Sequence, residues 1–186
     1  MVHRTPAAPL CDGARQPATD RSTPWFRFRG FTILELMVTV TVLGILLGVA
    51  VPSFSTFVEN SRVTSQTNEL VSALNLARSE AIRRGGTATV EAVSASGFAG
   101  GWCVHVGSGC ADTGNVLRVY PAMTRLAVES SATSITFDSR GARRAPAAAS
   151  VTVTIEPDDC ETGAAGRARR LEIALTGRIT LQRIDC

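Results

Sequence analysis

A mostly apolar run, residues 31–51, constrains the fold of this chain more than any other feature, because only one charge, Glu35, interrupts it. A helix over these 21 residues covers roughly 31 Å, close to the hydrocarbon thickness of a bilayer, about 30 Å. Arg27 and Arg29 precede the run, and the first charge after it is Glu59. The positive-inside rule therefore predicts a single-pass helix with a cytoplasmic amino terminus and an exported remainder.

The formal net charge of +3 comes entirely from the residues before this run. Residues 1–30 contain five arginines against Asp12 and Asp20, which leaves fourteen arginines and fourteen acids from residue 31 onward. The exported part is therefore formally neutral, and its overall charge gives no argument for nucleic-acid binding. Its length suits one modest folded domain behind an N-terminal appendage.

The carboxylate of Glu35 needs a partner, because an acid near the centre of a membrane helix costs about 2.5–3.5 kcal/mol. Glu35 lies four residues after Phe31, which follows Gly30. A secretory signal would instead carry a small-residue cleavage site beyond its apolar region, and no clear match is found there. The stretch RGFTILE, residues 29–35, with Pro52 after the apolar run, resembles the class III leader of type IV prepilins and pseudopilins.

This resemblance implies a processing site and an assembly contact. In such proteins a prepilin peptidase cuts after the glycine that matches Gly30, and the new terminal residue, here Phe31, is N-methylated. The carboxylate that matches Glu35 pairs with the terminal amine of a neighbouring subunit. The competing interpretation is that Glu35 only favours the amino end of a helix at the membrane edge.

After the apolar run, the sequence predicts an amphipathic helix and then a β-rich region. Apolar residues three or four positions apart predict a helix over residues 53–84, which Gly85 and Gly86 end. From residue 87 onward, short β-prone segments alternate with turn signals, including Gly100-Gly101, and the stretches 143–150 and 157–169 are predicted as surface loops. The predicted strands are 87–93, 102–106, 116–120, 124–129, 133–138, 150–156, 170–175 and 178–183.

Several segments of this region resemble one group of pilin-like proteins. ARSEAI at 77–82, GWCVHV at 101–106, ITFDSRG at 135–141 and RRLEIALTGRITL after residue 168 are similar to the GspH and FimT group of minor pilins and pseudopilins. The resemblance implies an α+β, pilin-like fold, in which a long N-terminal helix packs on an antiparallel sheet or sandwich of short strands.

The resemblance also implies a domain organisation, a location and partners. We expect a cleaved leader at 1–30, a transmembrane and assembly helix at 31–52, and an exported domain at 53–186, β-rich over 87–186. The protein would sit in the bacterial inner membrane with this domain in the periplasm, and then enter a pilus or pseudopilus. Its expected partners are the prepilin peptidase, other pilins or pseudopilins and the inner-membrane assembly platform.

Three functions fit these features. The first is a minor type IV pilin, FimT-like, assembled into a pilus or at its tip. The second is a GspH-like minor pseudopilin of a type II secretion system. The third is a membrane-anchored binding domain that never polymerises, which cleavage of the leader would distinguish from the other two.

Four cysteines lie in the exported region, where disulfides persist, whereas Cys11 lies in the leader. Four cysteines allow three pairings, and the short interval between the first two favours Cys103–Cys110, which leaves Cys160–Cys186. Zinc is the competing interpretation, but the sequence has no CxxC pair and only His105 as an exported histidine. We therefore expect disulfides and no metal.

The sequence offers no convincing catalytic arrangement. His105 is the only exported histidine and lies on an apolar strand, and the acids Asp158, Asp159 and Glu161 share one predicted loop. A solvated acidic loop and a structural histidine are the commoner explanations for these patterns. No phosphate-binding glycine loop is found either, so we expect neither enzymatic activity nor a cofactor.

DNA is a further partner to consider, because some FimT-like proteins take part in DNA uptake, a role associated with a GRxR motif. The chain has a literal GRAR at 166–169, whereas the position that aligns with the family motif, 177–180, reads GRIT and lacks the second arginine. Phosphate contacts by arginines would give salt-sensitive binding without sequence preference. The competing interpretation is that these arginines are solvated or paired with nearby acids. The candidate DNA-binding residues are Arg167, Arg169, Arg170, Arg178 and Arg183, with Arg140, Arg143 and Arg144 as additional members.

Overall fold

The computed structural model describes residues 30–186. The predicted leader up to residue 29, with Cys11, Arg27 and Arg29, lies outside the described residues. The chain divides into two compact units between Leu43 and Gly44.

The first unit contains the start of helix α1 (Ile33–Arg84). Between Ile33 and Leu43 every side chain is exposed. The hydroxyls of Thr39 and Thr41 donate to the carbonyl oxygens of Leu36 and Met37, both at 2.8 Å. Because these polar groups are satisfied within the helix, the outer surface of this segment is almost entirely apolar.

The second unit begins with the rest of α1, whose buried stripe starts at Val63. The predicted amphipathic pattern is confirmed from this residue onward, since its members there are fully buried, whereas Phe54, Phe57 and Val58 are exposed. Periodicity marks an apolar face but does not reveal how far the sheets extend along it. Gly85 ends the helix with φ 65° and donates its N–H to Ile82, as the glycine pair predicted. The buried residues of the stripe are Val63, Leu70, Ala73, Leu74, Ala77 and Ala81.

Nine strands follow and form two antiparallel sheets. One sheet has the strand order β3-β2-β1-β5-β6, and the other has the order β4-β7-β8-β9. The predicted α+β class with a long N-terminal helix and antiparallel sheets is confirmed. The strands are β1 (Ala88–Ser94), β2 (Gly97–His105), β3 (Val116–Tyr120), β4 (Leu126–Ser130), β5 (Ser134–Phe137), β6 (Arg143–Ala145), β7 (Ser150–Pro157), β8 (Ala168–Ala174) and β9 (Ile179–Ile184).

Two predictions about the strands are wrong. Gly100 and Gly101 lie inside β2 rather than in a turn, and a Cβ on Gly101 would meet the Tyr120 carbonyl oxygen at 2.7 Å. Glycine is therefore needed here for close approach of the backbones, which sequence reasoning mistook for a turn signal. The predicted loop 143–150 contains β6, and Arg143 is buried there.

One hydrophobic core joins α1 and both sheets. Burial alternates strictly along β7, as a strand with one face on the core requires. Trp102 is fully buried and stacks on Tyr120 with ring centroids 5.1 Å apart. Disulfides join Cys103 to Cys110 and Cys160 to Cys186, which are the pairs that the cysteine spacing favoured.

Candidate functional site

The predicted processing site lies in non-helical chain just before α1. Gly30 is exposed, a Cβ added to it would meet no atom within 4 Å, and Phe31 has 79% of its surface exposed. A peptidase must reach the backbone on both sides of the bond that it cuts. Among the described residues, nothing covers the bond between Gly30 and Phe31.

Thr32 caps the amino end of α1. Its hydroxyl oxygen accepts the N–H of Glu35 at 3.2 Å, and its carbonyl accepts the N–H of Leu36 at 3.1 Å. A threonine cap followed three residues later by a glutamate is the capping-box sequence, which fixes where the helix starts. The backbone of Glu35 is therefore held at a set distance from Phe31.

The carboxylate of Glu35 is exposed and lies in the first turn of α1. Within residues 30–186, no hydrogen bond or ion pair engages it. α1 is long and apolar enough to cross a membrane, with a mean hydropathy of 2.4 over its most apolar window. An unpaired carboxylate in such a segment requires a cation from another molecule or from the chain's own terminus.

The arginines of the predicted DNA patch do not form one free surface. Arg167 donates to Glu59 on α1 and lies 3.6 Å from Asp159, with only 18% of its side chain exposed. Its charge is therefore already balanced by two carboxylates of the same chain. Arg167 joins the helix to the loop after β7.

Arg169 and Arg183 are directly opposite each other on β8 and β9. Both guanidinium groups donate to the Gly166 carbonyl oxygen, and Arg169 also donates to the Thr64 hydroxyl at 3.3 Å. Burial lowers the pKa of Arg169, and the neighbouring charge of Arg183 lowers it further. The GRAR segment thus makes contacts within the chain, because the carbonyl oxygen of Gly166 accepts hydrogen bonds from both Arg169 and Arg183.

Arg170 projects from the other face of the same sheet. Successive side chains on a strand alternate between faces, and Leu171, which shares the face of Arg169, is fully buried. Arg170 therefore points away from Arg169, and it lines a shallow polar depression with Glu129 and Thr154. Its guanidinium cannot join Arg169 and Arg183 in binding one phosphate backbone.

Arg143 was expected as an exposed member of the patch, and this expectation is wrong. Only 3% of the residue is exposed, and its guanidinium donates to the carbonyl oxygens of Pro146 and Ala148. Burial lowers its pKa. Arg143 holds the chain after β6 in place, whereas Arg140, Arg144 and Arg178 remain at the surface.

His105 is buried and has two polar neighbours. Its Nδ1 lies 3.0 Å from the Gly107 carbonyl oxygen, and its Nε2 lies 3.1 Å from a carboxylate oxygen of Glu91. The sulfurs of Cys103 and Cys110 lie close to Glu91, but they are joined in a disulfide and offer no thiolate to a metal. Sequence reasoning missed Glu91, because only the pairing of β1 with β2 brings it opposite this cluster.

The family model described as type II transport protein GspH matches residues 66–177, more than half of the chain. The chain belongs to the GspH family. A second model, the prokaryotic N-terminal methylation motif, matches residues 25–51 of this GspH-family protein. That range contains Gly30, Phe31 and Glu35, so the matched motif includes the start of the apolar helix α1.

Similar proteins point to the same class. Two fimbrial proteins of Pseudomonas aeruginosa are 40% identical over 57 residues, which is 31% of this chain and 36% of each relative. The chain thus matches about a third of the length of these curated relatives. Two crystal structures of the type IV minor pilin FimU of P. aeruginosa are similar in fold. The first has a TM-score of 0.54 and 25% sequence identity, and the match covers 68% of this chain and 92% of the FimU chain. The second has a TM-score of 0.50 and 27% sequence identity, and the match covers 64% of this chain and 91% of the FimU chain. The chain is therefore a minor pilin or pseudopilin of the type IV prepilin class.

Proposed function

We propose that the chain is cleaved between Gly30 and Phe31 by a prepilin peptidase, N-methylated on Phe31, and assembled into a type IV pilus as a minor pilin. The observation that carries the proposal is the geometry of residues 30–35. An exposed, non-helical bond lies directly before a capped apolar helix, and the carboxylate in the first turn of this helix has no partner among residues 30–186. Cleavage there creates a new amine four residues from that carboxylate.

In this proposal, Glu35 pairs with the Phe31 amine of a neighbouring subunit. The Thr32 cap keeps Glu35 in the first turn of α1, so its carboxylate is presented at a fixed depth. An ion pair between subunits would remove the cost of an isolated carboxylate in lipid, about 2.5–3.5 kcal/mol. Among residues 30–186 the carboxylate has no partner, so a neighbouring subunit's amine can supply its counter-charge.

Two measurements test this function. Intact mass analysis of the chain from membranes of its bacterial host should give residues 31–186 plus one methyl group, and a mass that retains residues 1–30 would refute cleavage. Glu35→Gln should be cleaved normally but lost from sheared pili, whereas Glu35→Asp keeps the charge and should retain part of the incorporation. Normal incorporation of Glu35→Gln would exclude the assembly role.

A second candidate function is a minor pseudopilin of a type II secretion system. The description of the matching family model favours it, because that model is named for a type II transport protein. Both functions require cleavage and membrane anchoring, so the phenotype of a deletion strain must separate them. Loss of type II secretion would support the pseudopilin, and loss of pili would support the pilin. An unpolymerised anchor would keep residues 1–30.

DNA uptake does not form part of the proposed function. Arg167, Arg169 and Arg183 are engaged within the chain, and Arg170 lies on the opposite sheet face from Arg169. The position that aligns with the second arginine of the family motif is Thr180, which accepts a hydrogen bond from Arg178 at 3.4 Å. These contacts favour structural roles for the arginines.

A further inference from the structure

Three segments that are distant in sequence meet at the carboxyl end of α1. The guanidinium of Arg78 donates to the Gly177 carbonyl oxygen at 3.1 Å, and a Cβ on Gly177 would lie 2.0 Å from the Gly141 carbonyl oxygen. A Cβ on Gly141 would in turn meet Ile82 at 2.8 Å. The last turns of α1, the β5–β6 turn and the β8–β9 turn are therefore fixed against one another.

This junction carries an excess of positive charge. Six arginines on these three segments and on the adjoining strand β6 are partly or fully exposed, and only two carboxylates, Glu80 and Asp138, lie among them. Glu80 pairs with two of these arginines, and Asp138 pairs with one. The formal local charge is thus +4. We call this surface the arginine pole, and its members are Arg78, Arg83, Arg84, Arg140, Arg144 and Arg178.

The arginine pole has the composition of a protein interface. Ile82 and Leu175 are 50% and 45% exposed, and both flank the contact between Gly141 and Gly177. Apolar residues surrounded by arginines are typical of docking surfaces, where arginine is enriched and contributes strongly to affinity. The fixed backbone beneath them lowers the entropy lost on binding.

The same domain presents a complementary acidic loop. Asp158, Asp159 and Glu161 are exposed in the chain that follows β7. Asp159 lies near Arg167, which is also paired with Glu59 of α1, while Arg125 is the exposed cation beside Asp158. The loop is therefore net negative.

The acidic loop and the arginine pole lie at opposite ends of the packed part of α1. The loop is tied to Glu59 through Arg167, and the pole contains Glu80. At 1.5 Å per residue these two helix positions are roughly 31 Å apart. One copy cannot bring its own loop onto its own pole, so the two surfaces can meet only between copies.

We propose that the arginine pole of one copy binds the acidic loop, Asp158 to Glu161, of a second copy. Because two different surfaces meet, the contact is head to tail, and a rotation that does not close extends it into a filament. The proposal deepens the proposed function by naming a subunit contact. It is tested on purified full chain, so its failure is distinct from a failure of processing.

The test measures self-association of the full chain in detergent micelles by sedimentation velocity. Association through the pole should weaken as salt rises from about 0.05 M to about 0.5 M, because exposed charges are screened. The variant Arg83→Glu/Arg140→Glu changes two well-exposed pole residues and should weaken association about tenfold or more. The control Arg118→Glu/Arg170→Glu alters the net charge equally at exposed strand positions outside the pole and should associate as wild type does.

Substitutions in the acidic loop make the test specific. Asp158→Arg/Glu161→Arg should weaken association to a similar extent, whereas an equimolar mixture of this loop variant and the pole variant should form a pair, because each of the two chains keeps one intact surface. Association that is insensitive to salt and equal in all variants would come from the apolar helix and would overturn the proposal. So would failure of the two mixed variants to pair, or a pole variant that loses binding to duplex DNA but still self-associates.

Discussion

Replacing Gly177 by alanine should show how far the contact beneath the arginine pole depends on the absence of a side chain. Gly177 has φ 78°, where an L-residue other than glycine is strained, and its new Cβ would lie 2.0 Å from the Gly141 carbonyl oxygen. The strained backbone costs about 1–2 kcal/mol. Overpacking against backbone adds about 1–3 kcal/mol, since Gly141 must move. We therefore expect Gly177→Ala to lower the free energy of unfolding by about 2–5 kcal/mol.

Gly163 provides a matched control. It has φ 86°, and a Cβ there would meet no atom within 4 Å, so Gly163→Ala carries the backbone strain without the overlap. The smaller conformational entropy of the unfolded chain offsets both substitutions by a similar amount. The difference between the two variants thus isolates the close approach to Gly141.

The assay is urea unfolding of the full chain in detergent micelles, followed by the fluorescence of buried Trp102 and near-ultraviolet circular dichroism. Equal slopes with different midpoints would show a change in stability alone. We expect Gly177→Ala to unfold at a clearly lower urea concentration than Gly163→Ala. Stabilities that agree within about 0.5 kcal/mol, the scatter of ordinary surface substitutions, would refute the packing argument.

Other contacts made by the arginines give three more predictions. Arg143→Ala should cost about 2–4 kcal/mol, because the Pro146 and Ala148 carbonyl oxygens lose their donors, whereas exposed Arg144→Ala should stay within about 0.5 kcal/mol in the same unfolding assay. The hydrogen bonds from Arg83 and Arg84 lower the pKa of Glu80 to about 2, so their stabilisation is present above its usual pKa and is lost as pH falls through the lowered value, which carboxyl chemical shifts should follow. At low salt and micromolar protein, replacing Arg167, Arg169 and Arg170 by alanine should leave the retardation of duplex DNA in an electrophoretic shift assay the same as with the wild-type chain. Loss of DNA binding in this variant would support the predicted patch.

The predictions from local sequence agree with the structure where neighbours in the chain decide the outcome. The sequence predicts the apolar helix from residue 31, and α1 begins at Ile33. The Thr32 cap, which the structure adds, links residues three or four positions apart. The glycine pair at 85 and 86 ends the helix for the same reason. The short interval between Cys103 and Cys110 likewise favours the pair that the structure contains.

The structure does not gather the arginines of the predicted patch on one face, because closeness in sequence differs from closeness in space. Arg169 and Arg170 are neighbours, yet they lie on opposite faces of β8, since successive side chains of a strand alternate. Arg143 stands beside Arg144, yet it is buried, because the carbonyl oxygens that receive its guanidinium come from the turn after β6. The spacing of charged residues in the sequence predicts neither the opposite orientations of Arg169 and Arg170 nor the burial of Arg143.

The sequence by itself determines the apolar helix with one carboxylate, the glycine before Phe31 and the alternation of short strands, because each rests on periodicity or on bonds between near neighbours. Only the tertiary structure decides which arginines remain free and where they gather. Arg78 and Gly177 are 99 positions apart and meet only after α1 has packed against both sheets. The arginine pole and the acidic loop at the other end are therefore products of folding, since packing chooses which charges are neutralised inside the chain and which face a partner.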